Sequence, residues 1–287
     1  MKHIKFVSFM LMAVAVLGTT YSCSKDEPTK EEDKIKEGTG VAIRSIFDKD
    51  GNAVQLSKVS GSETYDYTYN NAGKLSKIIW TLSNGSTAKP TYLDAPFTVT
   101  YNATNNGVTE KETLTISTMA SGLVKSYTSV QSQYASDGST NSTLTETVEC
   151  TYNASEQLTS MVINQNVTGR TNGSSRVGTY YYRFDLTWED GNLKKTTLKQ
   201  SENGVEQSEK TNEYYYYSSM DNEAKMMGIA FFNSVFGSYI ESNEIYPLIP
   251  FGIFGKGPAK LPYGCYLKND GTLRSDGTYT YEYSNDD

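Results

Sequence analysis

The sequence predicts an all-β domain: a long antiparallel meander whose sheet is curled or barrel-like, with one apolar helix and a Pro/Gly-rich loop packed on its aromatic face. Three observations predict this fold. Segments in which aromatic and polar residues alternate recur along the chain, turns of Asn, Asp and Gly separate them, and one late stretch has helical periodicity instead. Alternation with a period of two, bounded by such turns, is typical of β-hairpins.

The strand segments share one layout. In the first, residues 65–69 alternate Tyr with Asp and Thr, and Asn70 to Gly73 form a turn before the returning strand. Irregular spacing between the segments argues against a solenoid or propeller and favours a meander. Large apolar residues share one face of each segment: Tyr65, Tyr67 and Tyr69; Phe97, Val99 and Tyr101; Tyr182, Phe184, Leu186 and Trp188. We therefore expect one dry face that another element covers.

Residues 221–240 supply the predicted cover. Apolar side chains recur there at helical spacing, and acids and capping residues precede them. The helical face comprises Met227, Phe231, Val235 and Tyr239, widened by Phe232, Phe236 and Ile240. Residues 246–264 hold most of the chain's prolines, which predicts a loop rather than a strand. The whole insertion, at about 221–262, is expected to pack on the aromatic face; a hairpin that dips into a membrane is the alternative.

The first 22 residues have the pattern of a bacterial signal peptide. Lys2 and Lys5 precede an apolar run at 6–17, which is shorter than the roughly 20 residues of a membrane-spanning helix. Cys23 follows a small residue, so the segment resembles a lipoprotein signal. In such signals the cysteine receives diacylglycerol through its thiol and becomes the acylated N-terminus, with chains such as palmitate. An ordinary cleaved signal with Cys23 as a bystander is the alternative.

The next residues resemble an export signal. Lys25, Asp26 and Glu27 look like the Lys-acid-acid pattern that sends Bacteroides-type lipoproteins to the outer face of the outer membrane. The predicted localisation is therefore the outer membrane, lipid-anchored and surface-exposed. Residues 23–40 carry almost no apolar side chains, so they cannot offset their ordering entropy and are expected to form a flexible tether. The β domain then occupies residues 41–287.

Composition excludes several classes of function. The net charge of −7 argues against a nucleic-acid partner. The single histidine, His3, lies in the predicted signal peptide, so the mature chain would lack the His needed for Ser-His-Asp or Cys-His catalysis or for His-ligated zinc. We expect no cofactor and no metal. Cys150 and Cys265 could pair in an oxidising compartment, but two buried free thiols are favoured.

Together these features resemble known families. The unit Tyr-x-Tyr-Asn-x-x-Gly-x-Leu at 67–75 looks like the YD-type hairpin repeats of bacterial surface proteins. The lipoprotein start, the hairpins and the late helix followed by FGIFGKGPAKLP at 251–262 resemble a Bacteroides lipoprotein family of unknown function. That resemblance covers most of residues 41–287. It implies a porin-like fold, meaning a curled antiparallel sheet, and a cell-surface setting, and it supplies no catalytic residues.

Two patterns suggest binding sites, each with a simpler explanation. Asp48, Asp50 and Asn52 look like the opening of an EF-hand loop, but Ala53 and Val59 stand where that loop needs Gly and Glu. A hairpin turn between 43–47 and 53–59 explains the same residues. The 23 tyrosines, including the string 214–217, could stack on sugar rings. They also suit half-buried sheet positions with wet hydroxyls.

A third pattern concerns carboxylates. Glycoside hydrolysis needs two of them about 5–10 Å apart in a cleft. Glu110, Glu112, Glu146 and Glu149 are candidates, but their patterns predict solvated strand faces. The sequence therefore predicts a non-catalytic surface lipoprotein that captures a glycan or peptide ligand. A structural or adhesive envelope protein without a small ligand is the alternative, and a carboxylate-dependent hydrolase is the third hypothesis. The membrane is the expected partner, through the anchor; partner proteins are not identified.

The anchor is tested by the change Cys23→Ser. Because the acyl chains have no other attachment point, the variant should be recovered soluble or unprocessed when cells are fractionated. Partition of the variant with the outer membrane, at the level of the parent protein, would contradict the lipoprotein prediction.

Overall fold

The chain divides into two units, Met1–Lys36 and Glu37–Asp287. The computed structural model describes, within the second unit, residues 38–44, 46–47, 53–60, 63–81, 90–105, 108–135, 137–169, 177–222, 227–267, 273–274 and 280–284. The anchor residue Cys23, the export residues Lys25, Asp26 and Glu27, and the tether up to residue 37 lie outside these ranges. Thr39 is bonded to the sheet: its backbone N–H donates to Asp94 Oδ1 at 2.8 Å.

The described residues form strands, one α-helix and one 3-10 helix. The strands are β1 Ile46–Phe47, β2 Ala53–Ser60, β3 Thr64–Tyr69, β4 Leu75–Thr81, β5 Thr91–Asp94, β6 Thr98–Asn105, β7 Val108–Thr118, β8 Val124–Tyr134, β9 Thr140–Tyr152, β10 Leu158–Gly169, β11 Gly178–Glu189, β12 Asn192–Glu202, β13 Val205–Glu206, β14 Lys210–Asp221, β15 Lys260–Leu267, β16 Leu273–Arg274 and β17 Thr280–Ser284. Helix α1 is Ile229–Phe236, and the 3-10 helix is Asn243–Phe251.

The strands form one antiparallel meander, which confirms the predicted fold class. From β2 to β12 each strand pairs with the next one in sequence. The sheet continues from β12 to β14, β15 and β16, while β1 and the late strand β17 both pair with β2. No ladder between β16 and β17 is found in the described ranges, so the sheet is open there.

The recurring Asn after the Tyr-rich strands organises the hairpin turns. Asn70 Oδ1 accepts from the N–H groups of Ala72 and Lys74 at 2.9 and 3.1 Å. Asn153 makes the same pair of bonds six strands later, with Ser155 and Gln157, both at 2.9 Å. Three residues after each Asn the backbone has positive φ, 67° at Gly73 and 63° at Glu156. The side-chain amide thus holds a turn that the sequence marks with a Tyr-Asn pair.

The alternation identifies the inner face correctly. Tyr65, Tyr67, Val99, Tyr182 and Phe184 are all buried. Phe97, Tyr69 and Trp188 are partly buried and pack against the same core. Outward residues such as Arg183 and Thr68 are exposed. The inner face is therefore a continuous apolar surface that crosses most of the sheet.

The segment 227–259, which we call the plug, covers this face. Phe232, Phe236 and Phe254 of the plug are fully buried. Its rings contact widely separated strands: Phe251 meets Tyr67 of β3 with centroids 5.2 Å apart, Phe236 meets Phe184 of β11 at 5.1 Å, and Phe231 meets Tyr214 of β14 at 5.9 Å. Because one segment reaches strands that far apart in the ladder, the sheet curls around it. This confirms the predicted cover on the aromatic face.

The helix is shorter than predicted. Asp221 is the last residue of β14, where it pairs with Lys260 and forms an ion pair with it, so the chain is still extended there. Helix α1 starts only after Gly228. The apolar face was assigned correctly, since Met227, Phe231, Phe232, Val235, Phe236 and Ile240 are buried and Tyr239 is partly buried. Among the helices described, none is both long and apolar enough to cross a bilayer.

The proline-rich stretch at 246–264 contains most of a 3-10 helix and the start of a strand rather than a loop alone. Pro247 and Pro250 lie inside the 3-10 helix, and Pro262 lies within β15. The strand tolerates Pro262 because the ladder with β14 is irregular at that point, between Tyr215 and Tyr216 and again between Tyr216 and Asp221. The expectation that 246–264 contains no strand is therefore wrong for its last residues.

The exit of the plug is fixed to the β9–β10 turn. The N–H of Lys256 donates to Glu156 O at 2.9 Å, and Arg44 binds both the Glu156 carboxylate, at 2.6 Å, and Gly252 O, at 3.4 Å. Gly255 has a φ of +87°, and a Cβ there would overlap Glu156 O. The Phe-Gly-Lys-Gly part of the 251–262 motif therefore has a packing explanation: Phe254 fills the core and Gly255 allows the backbones to touch.

The cover is tested by the change Phe232→Ala. Loss of this fully buried ring should lower stability by roughly 3–5 kcal/mol, a large share of a domain stability of about 5–15 kcal/mol. We expect a clear fall in the melting temperature, whereas the exposed neighbour Asn233→Ala should change it little. An unchanged melting temperature combined with weaker attachment to lipid vesicles would instead indicate a membrane-contact element.

Candidate functional site

Polar side chains interrupt the apolar inner face in one row across four neighbouring strands. Glu112 of β7, Ser129 of β8, Glu146 of β9 and Gln165 of β10 form this polar row. Ser129 lies opposite Glu146 in the β8–β9 ladder, and Gln165 lies opposite Glu146 in the β9–β10 ladder. All four are at most 6 % exposed. Groups this polar are rarely buried unless they are hydrogen-bonded, so each needs a partner.

The expectation that Glu112 and Glu146 lie on solvated strand faces is wrong. Glu149 is exposed and Glu110 is half-buried, with its carboxylate accepting from Gln133 at 2.9 Å. Glu112, however, has the same parity as Leu114 and Ile116, and Glu146 has the same parity as Leu144 and Val148. The alternation that identified the dry face thus contained the signal that these two carboxyl groups point inward.

The partner of the polar row is the part of the plug that joins α1 to the 3-10 helix. We call residues 239–244 the crossing segment. Gln165 Nε2 of β10 donates to Tyr239 O at 2.7 Å, and Gln131 Nε2 of β8 donates to Glu241 O at 2.8 Å. Each amide thus gives a main-chain carbonyl of the plug a donor from the sheet. Inward side chains of the sheet therefore supply part of the backbone hydrogen bonding of the crossing segment.

Glu146 is the centre of this contact. Its carboxylate accepts from Tyr127 Oη at 3.0 Å, from Gln165 Nε2 at 2.8 Å and from the backbone N–H of Glu241 at 2.9 Å. Three donors from two strands and the plug thus converge on one side chain that is 0 % exposed. Glu146 joins the sheet to the crossing segment directly.

Two further carboxyl groups flank it. Glu112 Oε1 accepts from Ser129 Oγ at 2.8 Å and from Ser242 Oγ of the crossing segment at 2.5 Å. Glu244, itself in the crossing segment, accepts from Thr91 Oγ1 of β5 at 2.6 Å. Both are buried, at 6 % and 3 % exposure. No ion pair within the described ranges involves Glu112, Glu146 or Glu244.

Burial without a cation changes how these groups titrate. Desolvation, with the nearby Glu244 carboxyl adding to it, raises the pKa of Glu112 to about 8. Desolvation likewise raises the pKa of Glu244 to about 7, and it raises the pKa of Glu146 despite the hydrogen bonds that oppose the shift. Ionised carboxylates in such a place repel one another and lack water, so the neutral form is favoured. Burial in this interface therefore shifts all three acids toward their uncharged form.

Access decides what this cluster can do chemically. Hydrolysis of a glycosidic bond needs two carboxyl groups facing a cleft that admits the sugar and a water molecule. Here Glu112, Glu146 and Glu244 face the crossing segment, and their oxygens accept hydrogen bonds from its atoms or from neighbouring strands. The arrangement suits docking of the plug and leaves no described path for a substrate.

The other predicted sites are only partly described. The residues of the EF-hand-like pattern, Asp48, Asp50 and Asn52, lie outside the described residues. The strands that flank them, β1 and β2, pair with each other as in the hairpin interpretation. Cys150 is a buried free thiol whose pKa burial raises to about 12; the Cys265 side chain is not among those described. Within the described part of the chain, no group of three His, Cys, Asp or Glu residues could hold a metal ion.

The tyrosine string fits the half-buried interpretation. Tyr214 is buried and its hydroxyl bonds to Thr196 at 3.1 Å, while Tyr216 donates to Leu193 O at 2.8 Å. Tyr215, 40 % exposed, is the one aromatic among the strongly exposed large hydrophobic residues of the described ranges. Among the described residues, a sugar chain would therefore meet one strongly exposed aromatic ring rather than a row of them.

Comparison with known proteins adds no family. No family model and no curated protein matches the chain. Among solved structures it is similar to a porin-like protein from Bacteroides uniformis, with 14% identity and a TM-score of 0.40 over 80% of this chain and 96% of that one. It is also similar to a chain of the TcdB2-TccC3-Cdc42 complex, with 14% identity and a TM-score of 0.21 over 61% of this chain and 10% of that one. Both scores are too low to establish a shared fold, so the lipoprotein family stays a prediction.

The unusual titration of Glu112 gives a pH test. Its unfolded-state pKa is 4.5 and its folded pKa about 8, so it stabilises the fold fully below about pH 4.5, and that contribution is lost as pH rises through about 8. Each unit of difference is worth about 1.4 kcal/mol. The free energy of unfolding, measured with urea at several pH values between these limits, should fall as pH rises. Glu112→Gln, which cannot ionise, should flatten this fall, whereas the exposed Glu149→Gln should retain it. Equal slopes in all three proteins would contradict the assignment.

Proposed function

We propose that this chain is a non-catalytic lipoprotein of the cell envelope, anchored through Cys23 in the outer membrane and displayed on its outer face as a closed structural or adhesive module. The observation that carries the choice of a closed module is the burial of the described aromatic face under the plug. The rings that a glycan or peptide platform would present, such as Tyr67, Tyr182 and Phe184, are buried under the plug.

The outer face suits such a role. It carries polar and charged side chains, for example Lys111, Thr113 and Arg183, which are exposed. An acyl anchor followed by a charged tether would hold this polar body a short distance from the membrane. Adhesive and structural contacts need an exposed polar surface on a stable core, and both are compatible with this arrangement.

Ligand capture is the second candidate. It would need a site on the outer face or a displacement of the plug, because the inner face is covered as it stands. A carboxylate-dependent hydrolase is not proposed, since the buried acids that could serve it are bonded within the core.

Surface display is tested by changing Lys25, Asp26 and Glu27 together to Ala. The variant should remain lipidated and membrane-bound but become resistant to protease added to whole cells, because only its export signal is lost. The parent protein should be cleaved. Equal protease sensitivity of the two proteins would contradict the export prediction without affecting the anchor.

The choice between a closed module and a receptor is tested with a glycan array and a peptide library on residues 38–287. The closed module should show no saturable binding. Saturable binding that survives Tyr215→Ala, the change of the exposed ring, would overturn the closed module in favour of capture at another site. Saturable binding lost in Tyr215→Ala would place a receptor site on the outer face of β14.

A further inference from the structure

We propose that the crossing segment is a pH-sensitive latch. It is docked on the polar row while the carboxyl groups there are neutral, and it lifts from the sheet reversibly when they ionise, with the strands still paired. This inference concerns the folded domain alone and does not depend on the proposed anchor or surface location.

The latch rests first on which atoms make the contact. Ser242 Oγ donates to Glu112, and the N–H of Glu241 donates to Glu146. On the other side, Glu244 of the crossing segment reaches Thr91 of β5. Three of the bonds that hold 239–244 to the sheet therefore end on a carboxyl group. Two others, from Gln131 and Gln165, end on main-chain carbonyls.

The surroundings give these carboxyl groups no counter-charge. Besides the three carboxyl groups themselves, the titratable groups around them come from β6, β8, β9 and the plug. They are Tyr101, Tyr127, Cys150 and Tyr246. Every one of them is neutral or negative when it titrates. Lys111, which precedes Glu112 on β7, is exposed on the outward face and lies near the Tyr134 ring. Ionisation of one acid therefore opposes ionisation of the next, and nothing described in the interface offsets the charge.

The crossing segment has an apolar half and a polar half. The Tyr239 ring meets Tyr182 and Phe184 of β11, with centroids 5.0 and 5.2 Å apart, and Ile240 is buried in the core. From Glu241 to Glu244 the described contacts with the sheet are hydrogen bonds, three of which end on a carboxyl group. The opening therefore concerns this polar half, which lifts while the apolar contacts on either side of it stay packed.

The direction of the response follows from the titration. The pKa of Glu112 is raised to about 8 and that of Glu244 to about 7. Once the segment lifts, water reaches both groups and their pKa values fall toward the ordinary carboxyl range. The open state therefore binds fewer protons, so opening is favoured as pH rises and disfavoured as it falls. For each proton released, the opening equilibrium should rise roughly tenfold per pH unit within this window.

The experiment is amide hydrogen exchange on the purified protein between about pH 5 and pH 8, with labelling times scaled to remove the pH dependence of the exchange chemistry. The amide of Glu241, bonded to Glu146, is the reporter, and amides in the β8–β9 ladder are the internal reference. The protection of Glu241 should fall by about tenfold or more per pH unit while the ladder amides keep theirs. Constant protection of Glu241 across the range would overturn the latch.

Two variants and one control make the result specific. Glu112→Gln and Glu244→Gln replace an ionisable group by a neutral one of similar shape, so each should reduce the pH dependence at Glu241. The exposed Glu149→Gln, on β9 but facing outward, should leave it as in the parent protein. If both inward variants retain the full dependence, the latch does not operate through these groups. If one fails to fold, the other and the parent profile still decide.

Circular dichroism of the strands separates the latch from unfolding. The far-ultraviolet signal should stay constant over the pH range in which Glu241 loses protection. A parallel loss of strand signal would show that the whole domain opens, and the local latch would then be wrong. Binding of an apolar dye that increases with pH, in step with the exchange at Glu241, would support exposure of the inner face beneath the segment.

Discussion

The structure depends on covering one apolar face of a long sheet. Aromatic and aliphatic side chains from β3 to β14 lie on that face, and its area is too large to leave in water. The cover is local in sequence but not in space: rings of the plug meet Tyr67 on β3 and Tyr214 on β14. This requirement explains why the sheet curls, and why the most apolar stretch of the body sits between β14 and β15. It also explains why Gly255, where the plug leaves the core against Glu156, cannot carry a side chain.

The plug that covers the apolar face also places its own backbone N–H and carbonyl groups against that face. Where 239–244 crosses the sheet, the N–H groups of Tyr239 and Ile240 bond back to Phe236 of α1, and inward side chains of the sheet meet other backbone groups of the segment. Amides and carboxyls can serve both kinds of group, because an amide donates while a carboxyl accepts, and a protonated carboxyl also donates. Gln131 and Gln165 meet carbonyls, and Glu146 meets an N–H. The buried acids are thus a consequence of packing a connection on an apolar face, and their altered titration follows from that burial.

The sequence predicts much of this fold because strand alternation is a local property. It identified the inner residues of β3 and β11, and it placed the apolar cover late in the chain. It failed where a non-local pairing decides: Asp221 looks like a helix cap, but its partner Lys260 keeps it in a strand. The burial of these acids could have been predicted from strand alternation, since Glu112 lies on the same face of β7 as Leu114. Their partner was not, because Ser242 is 130 residues away and only the folded chain brings it to Glu112.

The same cover determines which function the domain can have. With the plug docked, the aromatic rings of the inner face are interior, and the surroundings meet a polar outer face. A receptor would need those rings to be reached from outside. The proposed latch would open such a route at the polar contact between Glu146 and the crossing segment, since buried aromatic rings hold the plug on either side of it. Whether the inner face can be reached from outside is therefore a question of whether the contact between the crossing segment and these buried carboxyl groups can open.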